Sequence, residues 1–229
     1  MTVSPERSFS RGPRLGRPPR LTRRRVLATA RRIGARQGVE GLTMRRLAEA
    51  LGVMPNALYT YFPDKASILD AVLDDLLGDI ERPHARRMTW RRGLIALMSS
   101  YRALLLRQPG LIALTLSRPM LGPNALRLRE DMLALLRRGG LADGDAVTAY
   151  FALFAYTTGF VSFEGGRVPG KRDARQRARA RELHESLADD EFPVTRSLAA
   201  RLSKRPGDVE FTHGLNRLVT GFATKQGGS

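Results

Sequence analysis

Seven side chains between Thr43 and Lys65 are of the types that meet nucleic-acid edges and phosphates: Thr43, Arg45, Asn56, Tyr59, Thr60, Tyr61 and Lys65. An arginine can pair bidentately with guanine O6 and N7, amides and hydroxyls meet base edges, and a lysine at a helix start meets a phosphate. This is the chemistry of recognition rather than of bond breaking. For catalysis the sequence offers little. It has no cysteine, its three histidines (His84, His184 and His213) lie far apart in the chain, and it holds no nucleophile elbow or phosphate loop. No catalytic residue, metal-ligand set or cofactor is therefore assigned, and whether a metal ion accompanies a ligand stays open.

To act together, those groups need two short helices crossed steeply over a small core, and residues 43–62 (TMRRLAEALGVMPNALYTYF) supply one. Leu47, Leu51, Val53, Leu58 and Phe62 can form that core, and Ala48 is small where the helices cross. Gly52 can take the left-handed conformation that a tight turn demands. Thr43 is expected to cap the first helix of the pair, and Pro55 to sit in the first turn of the second. With Leu58 and Phe62 inward, the second helix turns Asn56, Tyr59, Thr60 and Tyr61 outward, a polar and aromatic face that suits a major groove. Lys65 falls at the start of the next helix, where the dipole and free N–H groups favour an anion. Met54 stands where a capping side chain is wanted and has no acceptor to offer, which forgoes about 1 kcal/mol of helix stability.

The chain as a whole reads as all-α: apolar residues recur at three and four between Gly and Pro breaks, and no segment alternates like a strand. Helices are expected over about 22–37, 43–52, a short piece after Pro55, 64–80, 89–107, 109–117, 123–138, 144–164, 174–188, 193–203 and 208–223. Three units follow: a flexible basic arm (1–20), a helix-turn-helix domain (21–66) and a larger helical bundle for ligand binding and dimerisation (67–229). The formal charge is +17, and residues 1–36 hold eleven arginines against one glutamate. A second basic run, residues 171–181, has six basic residues against Asp173. Charge gathered in this way on a nearly neutral body points to a polyanion, here double-stranded DNA. Arg14, Arg17 and Arg20, set among Gly16, Pro18 and Pro19, could enter an adjacent minor groove; a tail adding only nonspecific affinity is the alternative. Lack of cysteine fits a reducing cytoplasm, and with no run of about 18 apolar residues no membrane partner is expected.

In the larger unit, Thr148, Ala152, Ala155, Gly159 and Ser162 recur at four and three, a stripe of small residues along which another helix can approach closely. Together with Phe211, Leu215, Leu218 and Phe222 of the last helix it is expected to form a homodimer seam; packing within one chain is the alternative. Met98, Tyr101, Phe151, Phe154 and Thr158 combine aromatic, thioether and hydroxyl groups, which suits a pocket for a largely apolar small molecule, unless they are simply core.

At this point the chain resembles the tetracycline-repressor (TetR) family. Residues 41–53 (GLTMRRLAEALGV), then 57–65 (ALYTYFPDK) and Leu69, are similar to that family's N-terminal signature, while 191–193 (EFP) and 211–222 (FTHGLNRLVTGF) resemble the end of its tetracycline-repressor type of regulatory domain. The resemblance implies a homodimeric repressor on a pseudo-palindromic operator, released when an inducer enters a pocket between the long helices. It also implies DNA contact by Arg45, Asn56, Tyr59, Thr60, Tyr61 and Lys65. Met54 replaces the usual Ser or Thr cap, and Thr60 and Tyr61 stand where Arg and His are frequent, so no relative's operator carries over. Two other readings stand beside this one: a nonspecific or architectural nucleic-acid-binding protein, and a ligand-independent DNA-binding regulator.

Overall fold

A computed structural model describes residues 21–38, 40–82, 88–165 and 171–222. Arg17 and Arg20 of the expected arm, and His84, lie outside them. The described residues form twelve helices and no strand.

The N-terminal unit is built from local signals. Helix α1 (Arg23–Gln37) starts where the Thr22 hydroxyl accepts the Arg25 N–H at 3.2 Å, and it buries Val26, Thr29, Ala30 and Ile33. Helix α2 (Met44–Leu51) starts in the same way, with the Thr43 hydroxyl accepting from Arg46 N–H at 3.2 Å. It stops at Gly52, whose φ of 68° and ψ of 36° are left-handed. The Gly52 N–H then reaches the Ala48 and Glu49 carbonyls, and the Val53 N–H reaches Ala48 O at 3.1 Å, closing the helix end. Helix α3 (Asn56–Tyr59) is one turn long, extended at both ends by turn hydrogen bonds such as Ala57 N–H to Met54 O and Phe62 N–H to Leu58 O. No side chain caps it, as expected of Met54. Leu47, Ala48, Leu51, Leu58 and Phe62 are buried together, and Val53 packs against them.

Helix α4 (Lys65–Leu77) runs through the expected boundary at 66/67 as one continuous element. It packs on α1 on one side and on α7 (Pro123–Arg138) on the other. Helices α5 (Trp90–Arg107), α6 (Gly110–Ser117), α8 (Asp143–Gly165) and α12 (Asp208–Gly221) complete the larger unit with α7. Within it α5 packs on α7, α8 and α12, and α8 on α7 and α12. Helices α9 (Lys171–Glu185), α10 (Pro193–Ser197) and α11 (Ala199–Leu202) pack chiefly on one another. The expected helix over 193–203 is two short ones divided at Leu198. Only Ala199 of these two is buried, so little packing holds a longer helix straight.

The central helix, α8, is long and apolar enough to cross a membrane by length and composition. In this fold one side of it is core instead: Ala146, Ala149, Leu153, Thr157 and Val161 are fully buried. Its other side is left open, with Phe151 and Phe163 exposed.

Candidate DNA-binding surface and ligand cleft

Around α2 and α3 the structure presents a surface of the expected composition. Arg45 is exposed and forms a 3.0 Å ion pair with Glu49 one turn on, which holds the guanidinium at the surface. Asn56, Thr60 and Tyr59 are exposed, Tyr59 being 50% so, although its neighbour Leu58 is wholly buried. Thr43 is exposed while it caps α2.

Two expectations change here. Tyr61 is half-buried, and its hydroxyl donates to Leu21 O at 2.7 Å, so it fastens α3 to the start of α1 instead of pointing outward. The reason is register: Tyr61 lies in the turn after α3, where the chain bends back over the N-terminus of α1. Lys65 is half-buried at the start of α4, but the N–H groups there are not all free. The Asp64 carboxylate accepts Ser67 N–H at 2.7 Å and the Ser67 hydroxyl faces back, a closed capping box. These hydrogen bonds, first the one from the Ser67 backbone, hold the Asp64 carboxyl below the usual aspartate range.

Sequence reasoning missed Arg23. Its guanidinium lies 4.4 Å from the Phe62 ring centroid and donates to Tyr61 O at 3.3 Å, placing a cation at the end of the recognition segment. It was hidden among the arginines of the basic N-terminal stretch.

Helix α4 is fastened to the larger unit by two groups. The Asp74 carboxylate accepts both Asn124 N–H and Ala125 N–H at 2.9 Å, capping α7 across the boundary, while the Asn124 amide donates to Asp74 O at 3.0 Å. Arg118, in the link from α6 to α7, forks onto Asp70 and donates to Ala66 O at 3.0 Å. The same link carries Met120, which lines a cleft of about 440 Å³ on the far side.

That cleft lies between α6 and α8 and is lined by Thr115, Leu116, Met120, Tyr150, Phe151, Phe154, Ala155, Thr158, Gly159 and Ser162. Three expected ligand residues meet in it: Phe151, Phe154 and Thr158. Tyr101 stands behind them, wholly buried, with its ring 4.9 Å from Phe154 and its hydroxyl 3.2 Å from that of Thr158. Burial pushes its phenol pKa up, so it serves as a neutral hydrogen-bonding group. Met98 is a correction: it is fully buried and does not line the cleft, being an unbranched filler of the α5 core.

The expected seam is divided by the fold. Ala155, Gly159 and Ser162 line the cleft between α6 and α8. Thr148, Leu218 and Phe222 line a second groove, about 630 Å³, between α8 and α12. Ala152 is half-buried on the same side of α8. Phe211 and Leu215 are not on this surface. Both are buried within the chain, Phe211 stacked 5.6 Å from Tyr156 and lying 4.7 Å below the Arg102 guanidinium. Their positions on α12 face α8 and α5, and a sequence stripe does not say which side of a terminal helix its own chain takes. At Gly214 an added Cβ would fall 2.2 Å from the Tyr156 hydroxyl, so a side chain there would displace that hydroxyl from its bond to Phe211 O. Arg102 closes the other end, paired with Glu164 of α8 and, at 2.6 Å, with Asp208 of α12.

The remaining histidines make no centre: His184 lies 3.5 Å from the Ser203 hydroxyl, and His213 is exposed on α12.

An exposed recognition segment on a capped, glycine-turned helix pair, joined through one shared helix to a larger bundle, defines a helix-turn-helix DNA-binding regulator. Residues 26–72 match the family described as bacterial regulatory proteins, tetR family, and residues 82–226 match the tetracyclin repressor-like C-terminal domain. The HTH-type transcriptional repressor DrrR1 of Streptomyces coeruleorubidus is 36% identical over 220 residues, covering 93% of this chain and 80% of that protein. The class A tetracycline repressor from transposon 1721 of Escherichia coli is 32% identical, with 82% and 84% covered. Among solved structures, that of the Streptomyces coelicolor TetR family protein ActR in complex with actinorhodin superposes with a TM-score of 0.84 at 28% identity, covering 91% of this chain and all of that one. The chain belongs to the TetR family of helix-turn-helix transcriptional regulators.

Proposed function

We propose that two copies of this chain bind a pseudo-palindromic operator and release it when a small molecule enters the cleft between α6 and α8. The observation that carries this reading is the shared link at residues 118–125. On one side it contributes Met120 to the cleft, and on the other it holds α4 through Arg118, Asn124 and Ala125. A ligand that displaces the backbone at Met120 moves α4 or strains those bonds, and α4 packs on α1, which in turn packs on α2. The relative ActR has been crystallised with actinorhodin, which supports a small organic ligand here as well.

In this reading Arg45, Asn56, Tyr59, Thr60 and Lys65 contact DNA, Tyr61 and Arg23 brace the recognition segment, and Arg17 and Arg20 reach the flanking minor groove. Thr148, Leu218 and Phe222 take a second copy along the groove between α8 and α12 with Ala152 beside them, while Ala155, Gly159 and Ser162 line the cleft between α6 and α8 instead. If the ligand fits only the conformation whose two recognition helices are wrongly spaced, it must weaken operator binding reciprocally. Selection of bound fragments from genomic DNA, followed by operator-shift titration with candidate ligands, tests both parts. Recovery of one palindrome and its release at saturating ligand is the expected outcome. A steep salt dependence without a preferred site would instead identify a nonspecific binder.

A further inference from the structure

The floor of the cleft carries a polar arrangement that the expected apolar ligand does not explain. Of its hydroxyls, Thr115 donates to Ile112 O at 2.9 Å, Ser162 donates to Thr158 O at 2.9 Å, and Thr158 pairs with Tyr101. Tyr150 differs. Its oxygen accepts from Arg129 Nε at 3.4 Å, and among the described residues no acceptor takes its proton. Arg129 is half-buried on α7 and held in place on two sides: its Nη2 donates to Met120 O at 3.1 Å, and its guanidinium lies 5.8 Å from the Tyr150 ring centroid. A cation thus stands behind a phenol that has a proton to give. Around it, the Tyr150 ring lies 5.1 Å from Phe151 and 5.2 Å from Phe154, tilted or edge-on, which makes an aromatic wall for a flat ring system.

Resting on the reading of this cleft as the ligand site, we propose that Tyr150, positioned by Arg129, recognises a carboxylate on a planar, fused-ring aromatic ligand. A phenol donating to a carboxylate forms a charge-assisted hydrogen bond, and the guanidinium behind it favours an anionic acceptor over a neutral one. The cleft volume of about 440 Å³ suits one ligand of that size. Arg129 acts through Tyr150 and is a positioning residue.

Three fluorescent probes separate the possibilities: 9-anthracenecarboxylate, its primary amide and 9-methylanthracene, each titrated against the full chain. The carboxylate binds at least tenfold tighter than the methyl compound, with the amide between them. Tyr150→Phe, which removes one atom and leaves the ring in place, abolishes most of that advantage and leaves the methyl probe unchanged. Arg129→Met lowers the carboxylate-to-amide ratio, and Arg129→Lys restores part of it. Equal affinity for all three probes in the wild type, or an equal loss of all three in Tyr150→Phe, overturns the assignment while leaving the cleft a ligand site. Binding of none of them overturns the cleft itself, and this assignment with it.

Discussion

The two ends of this molecule encode function at different ranges. Around α2 and α3 the helix ends are set over a few residues: Thr43 on Arg46, Gly52 on Ala48 and Glu49, Asp64 on Ser67. Around α8 the instructions come from elsewhere in the chain. Tyr101 reaches Thr158, Arg102 reaches Glu164 and Asp208, and Arg129 reaches Tyr150. A surface that reads a fixed partner such as DNA can be made rigid by local caps. In the proposed reading, a cleft that exchanges a ligand and a groove that takes a second copy are both shaped where several helices meet, with α8 serving each on an adjoining face.

The largest test of this contrast is at the groove between α8 and α12. Leu218→Glu places a carboxylate where the second copy is expected to lie, and an unpaired buried charge costs about 3–5 kcal/mol. Sedimentation should show a folded monomer and operator binding should fall by a hundredfold or more; an intact dimer would move the interface elsewhere. The local end is tested next. Asn56→Ala and Arg45→Ala should each lose about 1–3 kcal/mol of operator affinity, measured by titration at fixed salt, with no change in melting temperature. Tyr61→Phe should do the reverse: about 1 kcal/mol less stability for the lost bond to Leu21 O, and little change at the operator.

These expectations also show which parts were legible from sequence. Helix positions, the turn at Gly52 and the exposed face at Asn56, Tyr59 and Thr60 follow from periodicity and capping, which act within one turn. Phe211, Leu215 and Met98 did not follow, because an apolar residue on an amphipathic helix has the same spacing whether its partner is its own chain or another. The bond of Tyr61 was not legible because its partner, Leu21, lies forty residues away. Arg129 and Asp74 carry no sequence signal at all; each is one charged residue on a helix until the fold brings its partner to it.

The join between the two ranges is α4. Asp74→Ala would leave the Asn124 and Ala125 N–H groups without their acceptor, at a cost of about 1–3 kcal/mol in stability. It should also uncouple the ends: operator affinity close to wild type, with ligand still bound in the cleft but release of DNA much reduced. Release undiminished in this variant would remove the 118–125 link from the path between them.

The smallest effect lies at the other end of the same helix. Hydrogen bonds from Ser67, with Arg118 adding its charge from the larger unit, lower the Asp64 pKa in the folded state. A group whose folded pKa is depressed contributes stability that is fully present above the unfolded value and is lost as pH falls through the folded one. Asp64→Asn keeps a capping acceptor but does not titrate. The wild type should therefore melt at higher temperature than Asp64→Asn near neutral pH, and the gap should narrow as the pH falls through the acidic carboxylate range. Raising salt should narrow it only in part, because the leading contribution is a short hydrogen bond within α4 and only the smaller one, from Arg118, is long-range charge. A gap that salt closes completely would mean that Asp64 belongs to the contact between the two units rather than to the local code of its own helix.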